Sequence, residues 1–403
     1  MADFSKVPSS VSLDIKPFTA HVDEQALQDF KQLTKLSPVG PRTFENGGLH
    51  GRKYGVTNEW LVNAKDHWVN RFDWRKHEEH INSYPNFTTR VKDFNEAGHA
   101  LDIHFIALFS ETKDATPLLM LHGWPGSILE FTQILDILKK KYTPATLPYH
   151  VIVPSLPGYA YSSGPPQDYD WAVEDSALAL DKLMTGLGLS NYVVQGGDIG
   201  SHTARYMGAH FSACKGIHLN MCIIRPDNAD ELPLLDIEKK VLPRNDWFLD
   251  VGSAYALMHG TRTATVGAAL SASPMALLSW ISEKFLDWSD EDPSLDFILA
   301  DVSLYWFTET MPRCLYSYRG DSGDDERPKI AKTSKRGWNK PYVSKPSGYS
   351  FFPQELMPIP ISWAKTACNM VSTVAHESGG HFAALEKPQE LLADVEDYIK
   401  KAF

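Results

Sequence analysis

The sequence predicts an α/β protein: a mostly parallel central sheet, interrupted by a helical insertion and then resumed. Three observations carry this. Short apolar runs closed by turn residues alternate with helical patterns, the texture of βαβ units. A Trp-rich stretch from about 226 to 319 then loses the strand texture and becomes helical. After it, an apolar run at 363–374 and an amphipathic stretch at 386–401 return to the first pattern. The 403 residues are enough to bury a sizeable core, and 43% hydrophobic content with 11% aromatics argues against disorder. A net charge of −11 has the wrong sign for general nucleic-acid binding.

The elements follow in order. Trp60, Ala64, His67/Trp68 and Arg71/Phe72 recur at helical spacing, and Arg75, Lys76, Glu78 and Glu79 read as the solvated end of that helix. Ile103, Phe105 and Ala107 alternate as in a strand. Leu118–Leu121, Val151–Val153, Tyr192–Val194 and the weaker Ile217–Leu219 are the next strand candidates, with helices over 127–141 and 171–188 between them. In the insertion, Ser273-Pro274 provides a cap and a first-turn proline ahead of an apolar helical face, and a second helix runs from Pro293 to about Met311. Residues 319–349 read as a polar loop. The expected organisation is an N-terminal extension over 1–100 wrapping core and lid, core over 101–225, helical lid over 226–320, and core again over 321–403.

No stretch approaches the ~20 apolar residues that span a bilayer. The N-terminus lacks a secretory pattern, and the four cysteines form no CxxC pair, so a soluble, cytoplasmic protein with reduced thiols is expected.

Chemistry concentrates in three places. Tyr192-Val-Val-Gln-Gly-Gly-Asp198-Ile-Gly-Ser runs from strand through small–x–Asp–x–small into a helical stretch. This is the pattern of a nucleophile elbow, with Asp198 in the position of the usual Ser. A dinucleotide fingerprint fits poorly, because the Asp198 charge would face the pyrophosphate. An ordinary N-cap Asp is the plain alternative. Leu121-His-Gly-Trp124-Pro-Gly-Ser127 follows an earlier strand and can present the Trp124 N–H to an oxyanion, with the Ile199 N–H as second donor. Near the C-terminus, Val374-Ala-His376-Glu-Ser-Gly-Gly-His381 is no zinc helix: its histidines are one residue too far apart, and two glycines intervene. His381, after the last strand, is the candidate base. The orienting acid falls between nucleophile and base in chain order, and Glu355 is the choice. Asp321, Asp324, Asp325 and Glu326 read as solvated.

A carboxylate with a pKa near ~3.9 needs no base to ionise. It can attack saturated carbon and form an ester that remains hydrolysable, with His381 activating water. The electrophile should be a halide or a strained ring oxygen. Ile199 in place of an indole donor disfavours the halide. A ring oxygen needs an acid, for which Tyr255 and Tyr318 in the insertion are candidates; Tyr316 is two residues from Tyr318, and the register between them is open. A non-catalytic binding protein on the same scaffold is the alternative from another class.

These residues resemble the microsomal-type epoxide hydrolases of the α/β-hydrolase superfamily, and most closely the soluble fungal members. The resemblance covers nearly the whole chain: Ile15-Lys-Pro-Phe18, the Trp68 to Asn82 segment, HGWPGS at 122–127, GGDIGS at 196–201, AYALMHGTR at 254–262, LYWFTETMPR at 304–313, FFPQEL at 351–356 and GGHFAALEKP at 379–388. It implies the α/β-hydrolase fold with a helical lid. It implies that Asp198 opens an epoxide, that Tyr255 and Tyr318 protonate the ring oxygen, and that the Trp124 and Ile199 amides stabilise the oxyanion. His381, oriented by Glu355, delivers water, and the product is a vicinal diol. Neither cofactor nor metal is implied. The expected partners are a small apolar or aryl epoxide and water, with no nucleic acid and no membrane anchor; a homodimer is compatible with the sequence.

Overall fold

The apolar runs assemble into one sheet in a computed structural model that describes residues 3–320 and 341–403. Its strands are β1 (Lys16–Pro17), β2 (Asn86–Lys92), β3 (Ala100–Leu108), β4 (Thr116–Leu121), β5 (Tyr149–Pro154), β6 (Tyr192–Gly196), β7 (Cys214–Leu219), β8 (Val343–Phe351) and β9 (Cys368–Ala375). The order across the sheet is β1-β2-β3-β5-β4-β6-β7-β8-β9. The pairs β1–β2, β2–β3 and β3–β5 are antiparallel, and all pairs from β5 through β9 are parallel. The expected α/β-hydrolase architecture is therefore present.

Alternation along each strand feeds two cores, one per face. Leu119, Leu121, Ile152 and Val194 face the helices Val173–Gly186 and Asp198–His210. Leu118, Met120, Val151, Val153 and Val193 face the helices Thr132–Lys141 and Pro388–Ala402. Helices on both faces keep strands this apolar out of water.

Several elements differ from the sequence reading. The helix expected through residue 79 is two, Asn58–Asn70 and Trp74–Asn82; the second is capped by Asp73, whose side chain accepts from Arg75 N–H at 3.0 Å. Glu78, expected in solvent, is buried. It accepts from Val22 N–H at 2.6 Å, Arg75 Nη1 at 2.6 Å and Trp74 Nε1 at 3.2 Å. The cause is distant: the N-terminal segment folds over it. The last part of the loop expected over 319–349 is instead most of β8, whose Lys, Pro, Ser and Gly read locally as loop; the ladder shifts register between Val343 and Pro346, which accommodates the proline. The run expected as strand from Trp363 begins with the short helix Ile361–Ala364, and the strand starts at Cys368. The Pro293–Met311 helix is split into Leu295–Phe307 and Thr310–Cys314 by Glu309, with φ +50°. Asp321, Asp324, Asp325 and Glu326 lie outside the described residues.

The first hundred residues contribute β1 and β2 as well as helices. Those helices pack on the insertion: Trp68 Nε1 donates to Ser303 Oγ at 3.1 Å, and Phe30 and Trp74 meet the ring of Phe307 at 4.9 and 5.3 Å. Among the described residues no single helix is long and apolar enough to cross a membrane.

Candidate active site

Loops at the carboxyl ends of β4, β6, β8 and β9 converge, as expected for a site on a parallel sheet. After β6 the chain turns sharply into the helix Asp198–His210, and Asp198 takes the left-handed conformation, φ +45°. For a non-glycine residue this strain costs of order 1–3 kcal/mol and persists only where surroundings hold it. The surroundings are tight: a Cβ on Gly200 would lie 2.3 Å from Leu121 O, so only glycine lets the helix approach the end of β4.

The turn after β4 meets Asp198 directly. The Trp124 N–H donates to Asp198 Oδ1 at 2.8 Å, and a Cβ on Gly123 would fall 2.2 Å from the same oxygen. His122 serves the turn. Its Nε2 accepts from Leu156 N–H at 3.1 Å, its Nδ1 lies 3.1 Å from Gly123 O, and burial pushes its pKa down to about 4, so the ring is neutral. Of the two expected oxyanion donors, the Trp124 amide is the one that bonds the resting carboxylate. Ile199 follows Asp198 at the start of the helix.

His381, in the loop after β9, is held by its backbone N–H donating to Trp288 O at 2.9 Å. Its Nε2 lies 3.4 Å from Asp198 Oδ2, and its Nδ1 lies 2.5 Å from Glu355 Oε1. Glu355 comes from the turn after β8 and is 1% exposed. Burial disfavours a charged imidazole here, but the Glu355 carboxylate, with Asp198 behind it, outweighs burial and lifts the His381 pKa to about 10. The resting pair is thus imidazolium and carboxylate. The competing His376 faces elsewhere: its Nε2 meets Asp394 Oδ2 at 2.7 Å and its ring stacks on Phe352.

The helical insertion closes the site from above. A cavity of about 470 Å³ is lined by Asp198, Tyr255 and Tyr318, with Met221, Ile223, Phe248 and Leu356 giving it an apolar wall. The rings of Tyr255 and Tyr318 meet edge to face at 5.8 Å, and their hydroxyls are hydrogen-bonded to each other. Burial and the Asp198 carboxylate push the Tyr255 phenol well up, and burial with the Tyr255 and Asp198 groups does the same to Tyr318. Both are therefore protonated donors at neutral pH. Tyr316 is resolved from Tyr318: its hydroxyl donates to Pro157 O at 2.9 Å and lies 2.9 Å from Ser176 Oγ, in packing away from the cavity.

Two residues near the site were not singled out by the sequence. The Lys284 ammonium lies 4.7 Å from the Tyr255 ring centroid, inside an aromatic surround with Trp280 and Trp288. Glu130 is buried and lines a small space with Asp198 and His381. In the sequence Glu130 is the last residue of Ser-x-x-Glu, which reads as a helix cap and hides any other role.

Comparison with known proteins agrees with the geometry. Residues 15–131 match the family model for the epoxide hydrolase N terminus, and residues 116–257 match that for the alpha/beta hydrolase fold. The "Putative epoxide hydrolase" of Dothistroma septosporum is 49% identical over 407 residues, covering 100% of this chain and 94% of the relative. Epoxide hydrolase 1 of Sus scrofa is 30% identical over 427 residues, covering 96% and 88%. The solved structure of Aspergillus niger epoxide hydrolase superposes with a TM-score of 0.90 at 44% identity, over 100% of both chains.

Proposed function

This chain belongs to the epoxide hydrolase family, and on that premise we propose that it opens epoxides through an ester on Asp198 that His381-activated water then cleaves. Asp198 Oδ2 attacks a ring carbon from behind, the carbon–oxygen bond breaks, and Tyr255 and Tyr318 give a proton to the departing oxygen. The hydroxyalkyl ester forms, and the negative charge of Asp198 is gone. That loss matters for His381. Its raised pKa depends in part on the neighbouring carboxylate, so esterification lowers it; the imidazolium gives up its proton, which returns through solvent to the tyrosinate, and the neutral imidazole can then accept another. Water adds to Asp198 Cγ as His381 Nε2 accepts its proton. The Trp124 and Ile199 amides stabilise the tetrahedral oxyanion. Collapse passes the hydroxyl proton of the tetrahedral centre to the leaving oxygen, releases a vicinal diol and restores the carboxylate, and the proton His381 took from water leaves it as the resting imidazolium.

The observation that carries this reading is the convergence of Asp198, His381 and Glu355 from three separate loops beneath two hydrogen-bonded phenols. A serine in place of Asp198 would give an ether with no route to hydrolysis; the carboxylate explains why an Asp occupies the elbow. The cavity volume and its Met, Ile, Phe and Leu wall favour a small apolar or aryl epoxide. In the same reading, the insertion over 226–320 acts as the lid that supplies the acids.

The test is a His381→Gln variant mixed with styrene oxide and followed by intact mass and peptide mapping. Alkylation should proceed and hydrolysis stall, giving a gain of one substrate mass on Asp198. A label on another residue, or no label while the wild type forms diol, would refute the covalent route.

A further inference from the structure

A second, far smaller space borders Asp198, with a volume of about 10 Å³. That is enough for one water molecule. Asp198 lines both this space and the large cavity; Tyr255 and Tyr318 line the large one, and His381 and Glu130 line the small one. The nucleophile thus stands between a compartment fit for an organic substrate and one fit for water. The polar walls of the small space are His122, Glu130, Gln195, Asn220, His381 and Asp198, and both His122 ring nitrogens are engaged with the backbone. Gln195 Nε2 donates to Asn220 Oδ1 at 2.8 Å, while the buried Gln195 Oε1 has no hydrogen-bond partner among the described residues.

Glu130 is the unusual member. Its carboxyl meets the Ser127 backbone, and His381, Asp301 and Asp198 are all near enough to act on it. The group is also closely confined: a Cβ on Gly126 would fall 1.4 Å from Glu130 Oε1. Burial pushes the Glu130 pKa well up, and in either protonation state the carboxyl keeps an oxygen able to accept. A water that attacks Asp198 Cγ must aim a lone pair at that carbon. One of its protons goes to His381 Nε2, and the other needs a second acceptor.

We propose that Glu130 supplies that second acceptor and positions the hydrolytic water in the small space between His381 and Asp198. The proposal rests on the covalent route given above and adds a residue that acts in its second half-reaction alone. Ring opening takes place on the opposite side of Asp198, so it should not depend on Glu130.

The experiment follows styrene oxide turnover by rapid quench and intact mass in the wild type, Glu130→Leu and Glu130→Gln. Displacing a reacting group by ~1 Å costs about 100-fold in rate. In Glu130→Leu the ester should therefore decay about 100-fold more slowly, while its formation stays within about twofold of wild type. In steady state kcat and KM should fall together and kcat/KM hold. Glu130→Gln keeps a carbonyl acceptor and should restore most of the decay rate. Should Glu130→Leu not fold, Gly126→Ala, which must displace the same carboxyl, should slow decay selectively. Equal losses in both half-reactions, or an unchanged decay in a folded variant, would overturn the role of Glu130. An absence of any ester on Asp198 in the wild type would instead overturn the covalent route itself.

Discussion

Replacing Asp198 with Asn reproduces the electrostatic consequence of ester formation without any substrate, and its effect on His381 can be worked out. The imidazole Nε2 is 3.4 Å from Asp198 Oδ2, with the His381 side chain 2% and the Asp198 side chain 14% exposed. At an effective dielectric near ~20, a unit charge pair at that distance is worth about 5 kcal/mol, equivalent to a pKa change of about 3.5. Water-like screening would reduce this to about 1 kcal/mol. From a starting value of about 10, His381 in Asp198→Asn should therefore titrate near ~6.5, in the range in which a base both ionises and accepts protons readily. The sign is fixed: removing a negative neighbour disfavours the imidazolium, so the pKa must fall. The assay is an NMR titration of isotope-labelled histidine, with the resonance assigned by its loss in His381→Gln. Intact mass checks that the introduced amide has not hydrolysed back to a carboxylate. A wild-type value at or below 6.5 would show that the carboxylates do not outweigh burial, and an Asp198→Asn value still above 9 would show that Glu355 alone sets the charge state. The proposed release of His381 on esterification would then have no basis.

The two phenols should be needed for ring opening. Changing both Tyr255 and Tyr318 to Phe removes the acids, and the rate of ester formation should drop by roughly 10²–10⁴-fold; near-wild-type formation by rapid quench would exclude them as donors. The buried histidines should shape acid stability. Burial pushes the His104 pKa down to about 3, with its ring bonded to Ser155 and Asn86, whereas the unfolded chain titrates it near 6.5. Below pH 6.5 the unfolded state therefore binds the extra proton, and stability from this residue is lost on acidification. Asp301 and Glu386, with pKa values raised to about 8 and about 7, act in the opposite direction. The clean measurement is a comparison of urea unfolding at several pH values. Between pH 6.5 and 5, His104→Gln should lose stability less steeply than wild type, by up to about 1.4 kcal/mol per pH unit; identical slopes would contradict a neutral His104 in the folded protein.

Legibility in the sequence tracked how local each signal was. Strands β4, β5 and β6 were readable because a strand buried on both faces is a short apolar run with turn residues at its ends. β8 was not, because Val-Ser-Lys-Pro-Ser-Gly-Tyr-Ser-Phe has the composition of a loop; neighbours on either side make it a strand. Glu78 was misplaced for a related reason. Its charge pattern is that of a solvated helix end, and only the remote N-terminal segment buries it.

In the site, Asp198 and the Trp124 turn were legible because backbone strain and close approach demand particular small residues at fixed offsets. His381 and Glu355 were legible from their order along the chain. By itself, then, the sequence determined the fold class, the elbow and the carboxylate at its tip, since these rest on periodicity, turn chemistry and side-chain type. The tertiary structure alone decided which of two neighbouring tyrosines faces the cavity, how His381 acquires its charge, and that Glu130 borders a space the size of one water. Those properties depend on distances between residues far apart in the chain, and electrostatic and packing energies change steeply over the last few ångströms of approach.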